Sequence, residues 1–182
     1  MIALERIVAG GQTGVDRTAL ETAIACGLPC GGWCPPDRRD EDGDVLAEAF
    51  GLRPTPHDAS PLRPDLARSQ RTEWNVCCSD ATLIFCPAEA ASDPGTAWTR
   101  AAAELLARPC KVIDDPARRG AAAEVVAWLD QRVPPVRWLN VAGPSRRALE
   151  TQIGAERCRA FLAAVGAVLR SVCRFGPGER AG

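Results

Sequence analysis

Apolar and polar positions change rhythm repeatedly along this chain. Residues 6–9 carry the short apolar run Ile7, Val8, Ala9, and Val15, Ala19 and Ala23 with Leu20 and Ile24 follow at i, i+4 spacing. That pattern predicts a strand, a turn and a helix. Residues 29–33 predict a second short strand. From 35 to 64 the chain is rich in Pro, Asp and Arg, with only a weak strand-like stretch at 52–55, and reads as a long loop over a site. A helix is predicted over 66–78, and the continuously apolar run ATLIFC at 81–86 has the length of a fully buried strand. The alternation continues with a helix over 97–107, a strand at 110–113, a helix over 121–133 and a strand at 137–141. One final helix is predicted after Pro144, its stripe formed by Cys158, Phe161, Leu162, Val165, Val168, Leu169 and Val172. Residues 176–182 read as a loose tail beyond one domain spanning 1–175.

Strands alternating with helices predict βαβ units, hence a single-domain α/β protein with a Rossmann-like open parallel sheet and helices on both faces. Ligands of such sheets bind outside the carboxyl ends of the strands. Three glycine-containing junctions, after Ala9, after Cys86 and after Val141, follow predicted strands and are expected to converge there.

The first junction, GGQTGVDR at 10–17, has the strongest chemical content. Residues without Cβ let backbone N–H groups approach a ligand, and a helix N-terminus adds free donors and partial positive charge. Gly10, Gly11, Gln12, Thr13, Gly14 and Arg17 are therefore candidates to hold a phosphate. The spacing excludes commoner motifs: a P-loop needs a lysine here, and a dinucleotide fingerprint needs GxGxxG, so neither an ATPase site nor NAD is expected. Thr13 and Asp16 also match a capping box, and Asp16 would repel a nearby phosphate. Gly95 and Thr96 supply a second flexible backbone and a hydroxyl, Thr96 being an expected N-cap, while Asn140 and Gly143 mark the third junction. In the helix carrying QRTEWNV, Arg71 suits a phosphate, Trp74 a planar ring, and Glu73 and Asn75 stand beside them. The alternative for this cluster is a surface ion pair with a core tryptophan.

Charge and cysteine content narrow the partners. A net charge of -1 gives no general basic surface for nucleic acid, and no apolar stretch approaches the roughly 20 residues of a membrane span. Nine cysteines, an odd number without an export signal, suit a cytoplasmic protein with free thiols rather than a disulfide framework. Cys26, Cys30 and Cys34 are interrupted by Pro29, Gly31 and Gly32, so no metal site is expected from them. Lys111 is the single lysine among 22 basic residues. It lies in a strand away from the glycine junctions, so no pyridoxal phosphate chemistry is expected.

The blocks IVAGGQTGVDRTALETAI, PCGGWCPPDRRDEDG, QRTEWNVCCSDATLIF, PGTAWT and LNVAGP resemble the putative molybdenum carrier family over roughly residues 7–173. That family is similar, more distantly, to the lonely-guy and lysine-decarboxylase-like nucleotide-binding proteins. The resemblance implies a Rossmann-like fold and a pocket for a phosphorylated nucleotide-like or pterin ligand, the molybdenum cofactor among them. PGTAWTRAAAE departs from the lonely-guy pattern PGGxGTxxE, lacking a glycine and placing Trp98, Thr99 and Arg100 where the glutamate falls. Three functions follow for test: a ligand carrier, a nucleotide hydrolase using Asp16 or Glu73, or a nucleotide-sensing module. Apolar residues on the last helix would permit a homodimer.

Overall fold

The computed structural model describes residues 3–175; the tail expected at 176–182 lies outside the described residues. Six strands, β1 (Arg6–Val8), β2 (Cys30–Cys34), β3 (Leu52–Pro54), β4 (Ala81–Phe85), β5 (Cys110–Ile113) and β6 (Trp138–Ala142), form one sheet. All pairings are parallel, and the order is β3-β2-β1-β6-β4-β5. The last strand thus lies at the centre, with Val8 opposite Asn140 on one side and Thr82 opposite Asn140 on the other. Counted from β6, the order would read 4-3-2-1-5-6, a doubly wound arrangement with its reversal beside the first strand.

The helices are α1 (Val15–Ala25), α2 (Ser69–Cys77), α3 (Pro94–Leu105), α4 (Ala121–Asp130), α5 (Arg146–Ile153) and α6 (Ala155–Cys173). Alternate residues of the central strands divide the two faces. Ile7, Leu83, Phe85, Leu139 and Val141 join one large core with Leu20 of α1, Leu129 of α4, Leu149 of α5 and Leu169 of α6. Val76 of α2 packs with Trp98 and Ala102 of α3 in a smaller cluster. Buried apolar area contributes about 25 cal/mol per Å², so the α1/α4/α5/α6 face carries most of the stabilisation. Among the described residues no helix is long and apolar enough to cross a membrane.

Several boundaries correct the sequence expectation. The final helix is two helices, because Gly154 adopts φ 80 and ψ 156 and interrupts the backbone between α5 and α6. The apolar stripe of α6 faces the large core, with Leu162 only partly buried. Residues 66–68 precede α2 instead of opening it, and α3 begins at Pro94, which draws Gly95 and Thr96 into its first turn.

Candidate functional site

The carboxyl ends of β1, β6 and β4 meet as the sequence predicts, and glycine makes the meeting possible. Gly14 has φ 90, and a Cβ there would lie 2.5 Å from the Arg146 nitrogen and 2.7 Å from the Pro144 oxygen. A Cβ on Gly143 would strike the Phe85 carbonyl and approach Val15 Cγ2 to 2.7 Å. Backbone therefore packs against backbone where the three junctions converge, and the Arg146 amide donates to the Thr13 carbonyl at 3.2 Å. A cleft of about 180 Å³ opens above. Its walls come from Gln12 and Asp16 at the first junction, Gly95 and Thr99 of α3, and Gly143 and Ser145 after β6. Arg68, Arg71 and Thr72 close the α2 side, with Glu41 from the long loop on the remaining edge.

At its floor, Arg71 Nη1 donates to Asp16 Oδ2 at 2.8 Å, above Gly10. Burial pushes the Asp16 carboxyl up, while Arg71 and the Gln12 amide pull it down and the nearby Glu41 charge pushes it further up. Burial wins. Asn140 is 1% exposed; its Nδ2 donates to Thr82 Oγ1 at 3.3 Å, whereas its Oδ1 has no partner. Arg71 Nε is likewise buried without a partner. A small extension of the cleft joins both residues to Gly10, Asp16, Thr72 and Thr99. Unsatisfied buried polar groups cost about 1–3 kcal/mol each, so they are kept where something else satisfies them.

The capping box expected at Thr13 and Asp16 is absent: Gly14 is the N-cap of α1, and no side chain caps it. Tertiary partners have won over the local pattern. Thr13 donates its N–H to Glu41 Oε2 at 3.0 Å and its hydroxyl to Glu41 Oε1. Gln12 accepts from Arg68 Nη1 through Oε1 and donates to the Arg39 carbonyl at 3.5 Å. Arg17 donates to Asp40 Oδ2 at 2.8 Å and to the Gly11 carbonyl at 3.3 Å. Burial pushes the Asp40 carboxyl up, but hydrogen bonds from Arg17 and the Asp44 and Asp42 amides outweigh it and hold it below the usual range.

At the second junction the N-cap of α3 is Asp93, not Thr96. Asp93 Oδ2 accepts the Thr96 N–H at 2.8 Å and the Thr96 hydroxyl at 2.7 Å, so Thr96 is the capped residue. Trp74 and Glu73 of the QRTEWNV cluster face away from the cleft, and Asn75 reaches only its small extension. Trp74 packs edge-on to Trp33, with ring centroids 4.6 Å apart at 87°. Asn75 accepts from Trp33 N–H at 2.7 Å and donates to the Trp33 carbonyl at 3.0 Å, tying α2 to β2. Glu73 accepts from the Ser60 hydroxyl. Lys111 pairs with Glu124 at 2.6 Å on β5, outside the cleft.

Sequence reading missed Glu41, Arg68 and Asp93. Arg68 holds φ 61, a left-handed conformation that costs a residue with Cβ roughly 1–2 kcal/mol, and its guanidinium bridges Gln12 and the Asp40 carbonyl. Its only signal was proximity to the arginine-bearing cluster. Glu41 was visible as the centre of Asp40-Glu41-Asp42 in a loop over a site, without any indication of its partner. A larger groove of about 410 Å³ opens between Pro87, Pro116, Ile153 and Phe161, but its walls are mainly apolar and none of the junction glycines lines it.

Residues 7–165 match the model of a family described as the circularly permutated YpsA SLOG family. A search of curated proteins gave no match. The crystal structure of a putative molybdenum carrier protein from Syntrophus aciditrophicus SB is similar to this chain, with a TM-score of 0.75 and 32% sequence identity over 93% of this chain and 95% of that one. A doubly wound sheet whose central strand arrives last is what circular permutation leaves behind, and the family match spans all five connections between the strands and every glycine junction. The chain belongs to the circularly permutated YpsA SLOG family.

Proposed function

We propose that this chain is a binding protein for a small phosphorylated heterocycle, of nucleotide or pterin type, held in the cleft at the carboxyl ends of β1, β6 and β4. One observation carries the reading: Asn140 Oδ1 and Arg71 Nε, an acceptor and a donor, stand buried and unpartnered at the floor of a cleft flanked by Arg68. The edge of an amide-bearing ring offers the complementary pair, and a phosphate suits the arginines and the glycine turn. Gln12, Gly95 and Gly143 line that cleft and Gly10 its small extension, whereas Gly11 packs under Leu46 and Leu52, Gly14 packs on the Pro144–Arg146 backbone, and Thr13 is held by Glu41. Support also comes from the related protein named as a molybdenum carrier.

The molybdenum cofactor is the ligand this relationship favours. Among the described residues no group of three or more His, Cys, Asp or Glu is placed to hold a metal ion. This chain's residues would therefore hold the organic part, while the cofactor's own dithiolene carries the molybdenum and supplies its redox chemistry. Asn140 and Arg71 would orient the ring, and Arg68 would hold the phosphate. A cytoplasmic setting suits nine free cysteines. Native mass spectrometry of gently purified protein tests the reading. A co-purified phosphorylated heterocycle that is lost in Arg68→Ala supports it; failure to retain or bind any such molecule counts against it.

A second reading, cleavage of a nucleoside monophosphate, is favoured by the raised carboxyl of Asp16 at the cleft floor, since a general acid needs such a shift. Glu73 is turned toward Ser60 and fits that role less well. Release of free base from a nucleoside monophosphate panel would support it.

A further inference from the structure

The edge of the cleft is formed by a strap of the protein's own chain. Three consecutive acids reach three different places: Asp40 to Arg17 at 2.8 Å, Glu41 to the Thr13 N–H at 3.0 Å and to its hydroxyl, and Asp42 to Arg146 at 2.9 Å. Arg68 Nη2 donates to the Asp40 carbonyl at 3.0 Å. The strap is folded on itself, with Asp40 Oδ1 accepting the Asp42 N–H at 3.0 Å and the Asp44 N–H at 2.9 Å. Arg39 bridges Val45 across it.

Glu41 stands where an oxyanion would. Its two oxygens take an N–H and an O–H from Thr13, the residue before the N-cap of α1, the forked arrangement through which two phosphate oxygens are held at a helix start. We propose that Glu41 is an internal stand-in for a phosphate-type oxyanion, and that an anionic ligand displaces it and releases strap 37–46. This rests on the preceding reading of the cleft as an anion site. Two further facts support it. With the strap in place the cleft measures about 180 Å³, whereas pockets for small molecules usually span roughly 300–1,000 Å³. Yet the floor still presents Asn140 Oδ1 and Arg71 Nε without partners. A guest that reaches both the floor and Thr13 needs the strap raised. Electrostatics points the same way, because Glu41 already pushes against the Asp16 charge, and an added phosphate beside both carboxylates is repelled until one leaves.

Inorganic pyrophosphate is the probe, titrated calorimetrically into the full chain as wild type, Glu41→Ala and Asp42→Asn, each shown folded by circular dichroism. Hydrogen exchange of the Asp42 and Asp44 amides reports the strap. Glu41→Ala is expected to bind at least tenfold more tightly, Asp42→Asn to tighten binding less, and pyrophosphate to accelerate strap exchange in the wild type. Binding by the variants alone would also support the inference. Equal or weaker binding by Glu41→Ala, with wild-type strap exchange unchanged on saturation, would overturn it while leaving the anion site intact. No binding by any folded form would overturn both.

Discussion

The starts of α1 and α3 face the same cleft and present the same chemistry, an amide and a hydroxyl from one threonine held by one carboxylate. At α3 the carboxylate is Asp93, three residues before Thr96. At α1 it is Glu41, 28 residues after Thr13. A local carboxylate forms with the helix it caps and cannot leave without fraying it. A distant one is held only by loop closure, whose entropic cost rises slowly with length, so it can come and go with the fold intact. The same pair of hydrogen bonds is thus a permanent cap in one place and a removable latch in the other.

Gly143 lies between the start of α1 and the end of β4, and filling it breaks the comparison at its base. Gly143→Val forces a side chain onto the Phe85 carbonyl and Val15, and is expected to cost about 3 kcal/mol or more, read as a large drop in urea midpoint. Arg71→Met, beside the latch, leaves the buried Asp16 carboxylate without its counter-ion and is expected to cost about 3 kcal/mol at pH 7. The double replacement Asp16→Leu with Arg71→Met should recover most of that loss, because no buried charge remains.

Acid sharpens the contrast between the two buried aspartates. Asp40 is held below its usual 3.8, so its stabilising contribution is present above that value and lost as pH falls through its folded-state pKa. Asp16 is raised, so the folded state binds its proton first and gains relative stability as pH falls through the raised value. Urea melts from pH 7 to 3 should accordingly lose the acid-side fall in Asp40→Asn and lose the gain in Asp16→Asn.

Removing the cap by Asp93→Ala is expected to cost about 1 kcal/mol, read in thermal melts, and to leave strap exchange unchanged. The smallest stability effect is expected for Glu41→Ala, below about 1 kcal/mol, since a half-exposed latch contributes little to folding. If Glu41→Ala instead destabilises more than Asp93→Ala, the distinction between cap and latch fails.

The strands and their parallel sheet were legible, though not the strand order, because the strands are short runs between helical patterns, and even β3 showed as a weak stretch at 52–55. Convergence of the junctions followed from their positions after strands. What escaped depends on contacts across long sequence distances. Thr13 and Asp16 match a capping box in every local respect, yet Glu41 and Arg71 claim them, and no local pattern can show a partner 28 or 55 residues away. Trp74 and Asn75 were singled out as residue types that suit a ligand, but packing on Trp33 absorbs both. The single break at Gly154 was hidden by an apolar stripe that continues on the far side.

The central place of β6 also sets a timetable for making the protein. Until residues 138–142 have been made, β1 and β4 both lack the strand that pairs with them, which leaves each with an edge of unpaired backbone groups. The two halves of the sheet join only then, and only then do Gly143 and Ser145 complete the cleft. A guest of this cleft therefore has no complete site until β6 has joined the two halves.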